Sequence, residues 1–97
     1  MQNEITVKSL HPTATTISVL SDALQKELLY ANSRYETFQR ECNIFEKTYN
    51  MDSKQFVDSF ELGLLGDDIH WFDWYSVYRG KELWKKKSNI INNISWN

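Results

Sequence analysis

The sequence predicts an all-α protein in which a long helix, a short helix and a C-terminal aromatic helix pack as a helical hairpin or bundle. Apolar residues recur every three or four positions from Thr16 to Tyr49, which is the spacing of a helix face. The chain has only 3 Gly and 1 Pro, too few for the many turns of an all-β fold. At 97 residues it forms one domain, which we assign to residues 1–97.

The first helix is predicted over residues 16–49, which contain neither Gly nor Pro. Its apolar positions are Ile17, Leu20, Leu24, Leu28, Ala31, Tyr35, Phe38, Cys42, Phe45 and Tyr49. From Leu28 onward the steps alternate strictly between three and four, as in the seam of a helical hairpin or coiled coil. Short neighbours cannot cover so long a helix, so it either packs on a second copy or breaks near Asn32 and Ser33.

A short second helix is predicted over residues 53–62. Asp52 has the identity and position of an N-cap, and Gln55 three residues later completes a capping box. Gly66 then supplies a turn, and Asp67 is the expected N-cap of a third helix over residues 68–90.

The third helix carries two aromatic stripes. Trp74, Val77 and Trp84 are assigned to the internal core. Trp71, Tyr75 and Tyr78 form the adjacent stripe, which we expect to be exposed and to bind a protein partner, because interface anchors are rich in Trp and Tyr. Gly80, in mid-helix, indicates either close approach of another helix or a local bend.

Residues 1–12 are predicted to be a short strand or an N-terminal arm. The segment Glu4–Lys8 alternates, with Ile5 and Val7 on one side, which is a strand pattern. A lone strand must pair, either with the same strand of a second copy or with a partner's sheet.

The composition and charge of the chain indicate its cellular compartment and the class of partner to expect. The net charge of −2 is not that of a nucleic-acid-binding protein, and Glu82 and Trp84 interrupt the basic run Lys81–Lys87, which reads as a solvated helix face. The single cysteine excludes an internal disulfide and any multi-cysteine metal site. Neither a signal-peptide run nor a membrane-spanning run is present, so we expect a soluble, cytoplasmic protein.

Two groups of residues have side chains suited to metal binding or to catalysis. His70 lies three residues from both Asp67 and Asp73, a spacing that offers three metal ligands on one face, but capping acids beside a histidine explain it more simply. Cys42 with His11 or His70 would make a nucleophile and base, but Cys42 lies in the apolar seam, where cysteine acts as a small hydrophobe. We therefore expect no enzymatic activity, no cofactor and no metal.

Residues 45–87 contain a pattern of aromatic, acidic and turn residues. Its members are Phe45, Glu46, Tyr49, Met51, Phe56, Phe60, Gly66, Asp67, Asp68, Phe72 and Trp74. In this pattern the segment resembles a group of small bacterial and archaeal proteins that look like the antitoxin partners in two-gene toxin–antitoxin modules. The resemblance covers under half of the chain, contains no catalytic residue, and departs at Asn50, where a Gly is expected.

The resemblance implies a non-enzymatic protein that binds and neutralises a small toxin encoded by a neighbouring gene. Two alternatives stay open: a DNA-binding autorepressor of the ribbon-helix-helix type, with Ile5–Val7 as the dimer ribbon, and a structural helical homodimer without a toxin. Against the DNA-binding alternative, the pattern of the long helix lacks a clear break into two helices, and the ribbon has Lys8 as its only basic residue. We also expect a homodimer or larger species, in which the last helix or its symmetry mate covers the seam residues Leu28, Tyr35, Phe38, Cys42 and Phe45.

Overall fold

The computed structural model describes residues 3–96, and their fold is all-α. Helix α1 spans Thr13–Tyr49, α2 spans Ser53–Glu61 and α3 spans Ile69–Asn92. Helices α1 and α3 pack against each other as a hairpin, and the short α2 packs on both of them. The predicted fold class is therefore confirmed, with helix boundaries within three residues of those expected. None of the helices in the described part of the chain is long and apolar enough to cross a membrane.

Helix α1 runs without a break because α3 covers its seam from the same chain. Ala31 is completely buried, next to the position where a break was one of the alternatives. There the Ser88 hydroxyl donates a hydrogen bond to the side-chain oxygen of Asn32 at 2.8 Å. One turn further along, the Lys87 ammonium and the Glu27 carboxylate lie 2.6 Å apart. Because α3 contacts Phe45 of α1 through Trp74 and Asn32 through Ser88, the two helices run antiparallel. No second copy is needed to cover this part of the seam.

Gly80 allows the two long helices to approach closely. A Cβ atom at this position would lie 2.9–3.1 Å from three ring atoms of Phe38, closer than such atoms pack. Close approach, rather than a local bend, therefore explains the mid-helix glycine.

We expect Gly80→Leu to lower the free energy of unfolding by about 1–3 kcal/mol, because the added side chain overpacks the interface with Phe38. The measurement is urea unfolding followed by circular dichroism. The matched control places the same change in a Phe38→Ala background, where the space is free and the loss should be much smaller. Equal losses in both backgrounds would show that the Phe38 ring is not what requires glycine.

The turn from α1 to α2 uses Asn50 in a left-handed conformation, with φ 50° and ψ 50°. Asn is the residue after Gly that most readily takes this conformation at a helix end, so the departure from the expected Gly leaves the turn intact. The predicted capping box follows. Asp52 accepts a hydrogen bond from the Gln55 N–H at 2.9 Å, and the Gln55 side chain accepts one from the Asp52 N–H at 3.4 Å.

The N-cap of α3 is Asp68, and the prediction of Asp67 was wrong by one residue. The Asp68 carboxylate accepts a hydrogen bond from the His70 N–H at 2.9 Å. Gly66 has a positive φ of 82°, so the chain turns there and Asp67 belongs to the turn. Asp68 then has the extended conformation that an N-cap requires.

Residues 3–8 have no regular secondary structure, so the strand alternative is not seen in the isolated chain and the arm alternative describes this segment. The arm joins α1 through Ser9, whose hydroxyl oxygen accepts hydrogen bonds from the His11 N–H at 3.0 Å and the Thr16 hydroxyl at 2.8 Å. Residues 1 and 2 of the predicted segment, and residue 97 of the predicted domain, lie outside the described residues.

Candidate protein-binding surface

An aromatic cluster holds the three helices together at the end of the hairpin where α2 and its two loops join α1 to α3, here called the closed end. Trp74 is fully buried at its centre and stacks on Phe56 with ring centroids 4.0 Å apart. Phe45 and Tyr49 from α1 stack on the same indole at 5.6 and 5.8 Å. The cluster is therefore built from all three helices, and it fixes their relative positions.

A chain of two hydrogen bonds runs through the same cluster. The Trp74 indole N–H donates to the Ser53 hydroxyl at 3.0 Å, and the Ser53 backbone N–H donates to the Glu46 carboxylate at 2.7 Å. Each bond joins two different helices and satisfies a polar group that burial would otherwise leave unpaired. Four residues of the antitoxin-like pattern, Phe45, Glu46, Tyr49 and Trp74, thus have packing roles in this structure.

The three residues predicted to bind a partner belong to this cluster. Trp71, Tyr75 and Tyr78 are each half-buried and pack against the core. The Trp71 indole lies 4.8 Å from the Tyr49 ring and donates a hydrogen bond to the Leu65 carbonyl at 3.1 Å. Tyr75 packs on Phe60 at 4.9 Å, because α2 covers this side of α3. Burial raises the pKa of the Tyr78 hydroxyl. The expectation that they form a free stripe was wrong, and their part in binding stays a prediction.

The residues assigned to the core are not equally buried. Trp74 is fully buried, as expected, whereas Val77 and Trp84 are half-buried. Trp84 lies near the other end of α3, where it meets the ring of Tyr30 edge-on at 5.4 Å. The core is therefore concentrated at the closed end.

The closed end also exposes apolar side chains that the sequence analysis did not assign to a binding surface. Four of them, called here the apolar tip, lie in the loop between α2 and α3 and in the first turn of α3. They are Leu62, Leu64, Ile69 and Phe72, with exposed fractions of 74%, 71%, 69% and 50%. The Phe72 ring meets Phe60 edge-on at 5.2 Å, and the bond from Trp71 to Leu65 ties the loop to α3. The tip thus rests on the aromatic cluster.

Acidic residues flank the apolar tip along the chain. The segment from residue 58 to residue 73 contains five carboxylates and no Lys or Arg. The five are Asp58, Glu61, Asp67, Asp68 and Asp73, and all of them are exposed. Glu61 pairs with Arg79 of α3 at 3.2 Å, so its charge is partly neutralised. The whole chain has a net charge of only −2, so this end carries more negative charge than the rest of the molecule.

In the described part of the chain, the residues considered for catalysis and for metal binding do not form such sites. Cys42 is fully buried, and burial raises the pKa of its thiol, which keeps it in the unreactive protonated form at neutral pH. The side chains that influence this pKa are Lys81, Ser53, Glu46 and Glu41, with no histidine among them. Within residues 3–96, His70, Asp67 and Asp73 are not part of any group of three or more side chains placed to hold a metal ion.

The lysines of the basic run make contacts inside the protein. The ammonium groups of Lys81 and Lys85 lie over the rings of Tyr78 and Tyr35, at 5.1 and 5.9 Å from the centroids. Lys87 lies over Trp84 at 5.2 Å and also pairs with Glu27. Their stems therefore cover aromatic surface along the hairpin rather than forming one basic patch.

Comparison with protein-family models gives no match, and neither the curated proteins nor the solved structures compared with the chain include a significantly similar one. The resemblance to antitoxin-like proteins therefore rests on the sequence pattern alone.

Proposed function

We propose that the protein is a non-enzymatic antitoxin of the cytoplasm, which binds a small toxin encoded by a neighbouring gene and holds it inactive. The observation that supports this most is the apolar tip. Its four side chains are half-exposed or more, although the chain has a buried aromatic core next to them. A group of exposed apolar side chains with a polar rim is typical of protein–protein interfaces.

The apolar tip is held in place by the rest of the fold, which suits tight binding. Ile69 and Phe72 lie on the first turn of a helix that Trp74 anchors in the core. The loop that carries Leu64 is hydrogen-bonded to Trp71 through its neighbour Leu65. A surface that is already ordered loses little conformational entropy on binding, so more of the contact energy contributes to affinity.

The acidic rim indicates the chemistry of the partner. Five carboxylates within one short segment favour a partner whose contact surface is basic, because complementary charge accelerates encounter and disfavours other proteins. The proposed toxin therefore presents an apolar site bordered by Lys and Arg. Its association rate is expected to fall as salt is added, since salt screens exposed charges.

The DNA-binding alternative has less support. A ribbon-helix-helix protein has two helices after its ribbon, whereas α1 continues unbroken for 37 residues. Lys81, Lys85 and Lys87 of α3 are engaged with aromatic rings or a carboxylate of the same chain, which reduces their availability to phosphates.

The test is co-expression of the tagged protein with the product of the neighbouring gene, followed by affinity measurement. We expect the pair to co-purify, and growth inhibition by the partner to be relieved. The double variant Leu64→Asp with Ile69→Asp should weaken binding by about 30-fold or more, as loss of an interface anchor commonly does. Its melting temperature should stay close to that of the wild type, because both side chains are exposed.

The matched control is Leu83→Asp, which changes an α3 residue of similar exposure, 64%, outside the tip. It should leave binding unchanged. Normal binding by the double tip variant, or equal weakening by Leu83→Asp, would show that the tip is not the docking surface. No interaction with any product of an adjacent gene would contradict the antitoxin proposal.

A further inference from the structure

The arm before α1 has the features of a strand that lacks its partner. Residues 3–10 are exposed throughout, with exposed fractions of 86% for Ile5 and 56% for Val7. None of the hydrogen bonds found in the described part of the chain involves residues 3–8. A segment with free backbone N–H and C=O groups and with the β-branched residues Ile5, Thr6 and Val7 is suited to pair with another strand.

We propose that the partner is the same segment of a second copy, paired antiparallel about a two-fold axis at Thr6. In this register Glu4 of one copy faces Lys8 of the other, so the ribbon contains two opposite-charge pairs. Ile5 faces Val7 of the other copy in the same way, and Thr6 faces its own counterpart. Because side chains alternate along a strand, the four apolar residues share one face and the charged pairs share the other.

The charges and the apolar residues select this register over its neighbours. Moving the two-fold axis by one residue, to Val7, places Ile5 opposite Ser9 and Glu4 opposite Leu10. Moving it to Ile5 places Val7 opposite Asn3. Shifting one strand by a single residue places the axis between two residues, and then apolar and polar side chains share a face. Only the axis at Thr6 pairs Glu4 with Lys8 and also pairs Ile5 with Val7.

The first turns of α1 supply apolar surface beside the ribbon. A two-stranded ribbon alone is marginally stable, so its apolar face needs cover. Leu10 is fully exposed and Val19 is 64% exposed. Between the arm and α1 lies a groove of about 380 Å³, lined by Ser9, His11, Thr15, Thr16, Val19 and Leu20. This inference concerns the end of the hairpin opposite to the apolar tip, and it does not depend on the proposed function.

A charge-swap series tests the pairing, with self-association of the full chain measured by sedimentation equilibrium. We expect the wild type to dimerise. Glu4→Lys and Lys8→Glu should each weaken the dimer about tenfold, because each places two like charges in opposition. The double variant Glu4→Lys with Lys8→Glu should restore the wild-type affinity. A monomeric wild type, or a double variant no better than the single ones, would overturn the proposal.

A cross-linking experiment tests the register itself. Thr6→Cys places a thiol opposite its own counterpart, within the Cα–Cα range that a disulfide spans, so it should form a covalent dimer under mild oxidation. Asn3→Cys is the matched control, because residue 3 lies opposite residue 9 of the other copy and far from its own counterpart. The native Cys42 is buried and does not interfere. Equal cross-linking of the two variants, or none by Thr6→Cys, would exclude this register.

Discussion

Trp74→Ala is expected to lower the free energy of unfolding by about 3–5 kcal/mol, the usual cost of truncating a fully buried aromatic side chain. The indole stacks on Phe56, Phe45 and Tyr49, and its N–H donates a hydrogen bond to the buried hydroxyl of Ser53. Small domains are stable by about 5–15 kcal/mol in total, so this loss is a large share of the stability of the protein. Urea unfolding followed by circular dichroism measures this loss.

The matched control is Trp96→Ala, which removes the same side chain from a position after the end of α3 where it is 42% exposed. Its effect should stay within about 0.5 kcal/mol, as for most surface substitutions. If the two variants melted together, the aromatic cluster would not be the element that holds the three helices in place.

Trp71→Ala is expected to lower the free energy of unfolding by about 2–3 kcal/mol, less than a fully buried tryptophan because the side chain is half-buried. The sequence alone predicts an exposed Trp71, whose removal would leave the melting temperature almost unchanged. In the structure the indole packs on Tyr49 and Phe56 and donates a hydrogen bond to the Leu65 carbonyl, so its removal should lower stability. Thermal and urea unfolding decide between the two expectations.

Trp71→Phe separates the two contributions of this side chain. The smaller ring keeps most of the aromatic packing and loses the hydrogen bond to the loop, so we expect a loss of about 1 kcal/mol. An alanine variant as stable as the wild type would mean that the indole faces solvent, and would return Trp71 to the exposed stripe.

Features set by local sequence were predicted well. The strict alternation of three and four from Leu28 onward placed α1, and the capping box at Asp52 and Gln55 placed the start of α2. Both signals depend on residues within one or two turns of each other, so no knowledge of the tertiary fold is needed to read them. Gly80 was also informative, because a glycine inside a helix costs stability and needs a packing reason.

Features set by the crossing of helices were predicted poorly. The stripe of Trp71, Tyr75 and Tyr78 is apolar whichever neighbour covers it, so periodicity cannot tell which stripe α2 will bury. The cap at Asp68 depends on where the Gly66 turn ends, and either of two adjacent aspartates suits an N-cap.

The apolar tip shows a signal that the sequence contained and that the aromatic residues obscured. Leu64 and Leu65 lie between Gly63 and Gly66, and Leu62 directly precedes Gly63, in a loop of the kind that ordinarily carries polar residues. Leucines in a turn are either buried by the fold or available to a partner. Only the structure could separate these cases, and it leaves Leu62 and Leu64 exposed while Leu65 is half-buried.

The central claim, that the closed end docks a protein partner, is tested most directly by amide hydrogen exchange of the free protein and of its complex with the neighbouring gene product. The account predicts slower exchange in the complex for residues 62–72, most of which are exposed in the free protein, with little change in the arm. A complex that forms but leaves residues 62–72 exchanging as in the free protein would contradict it.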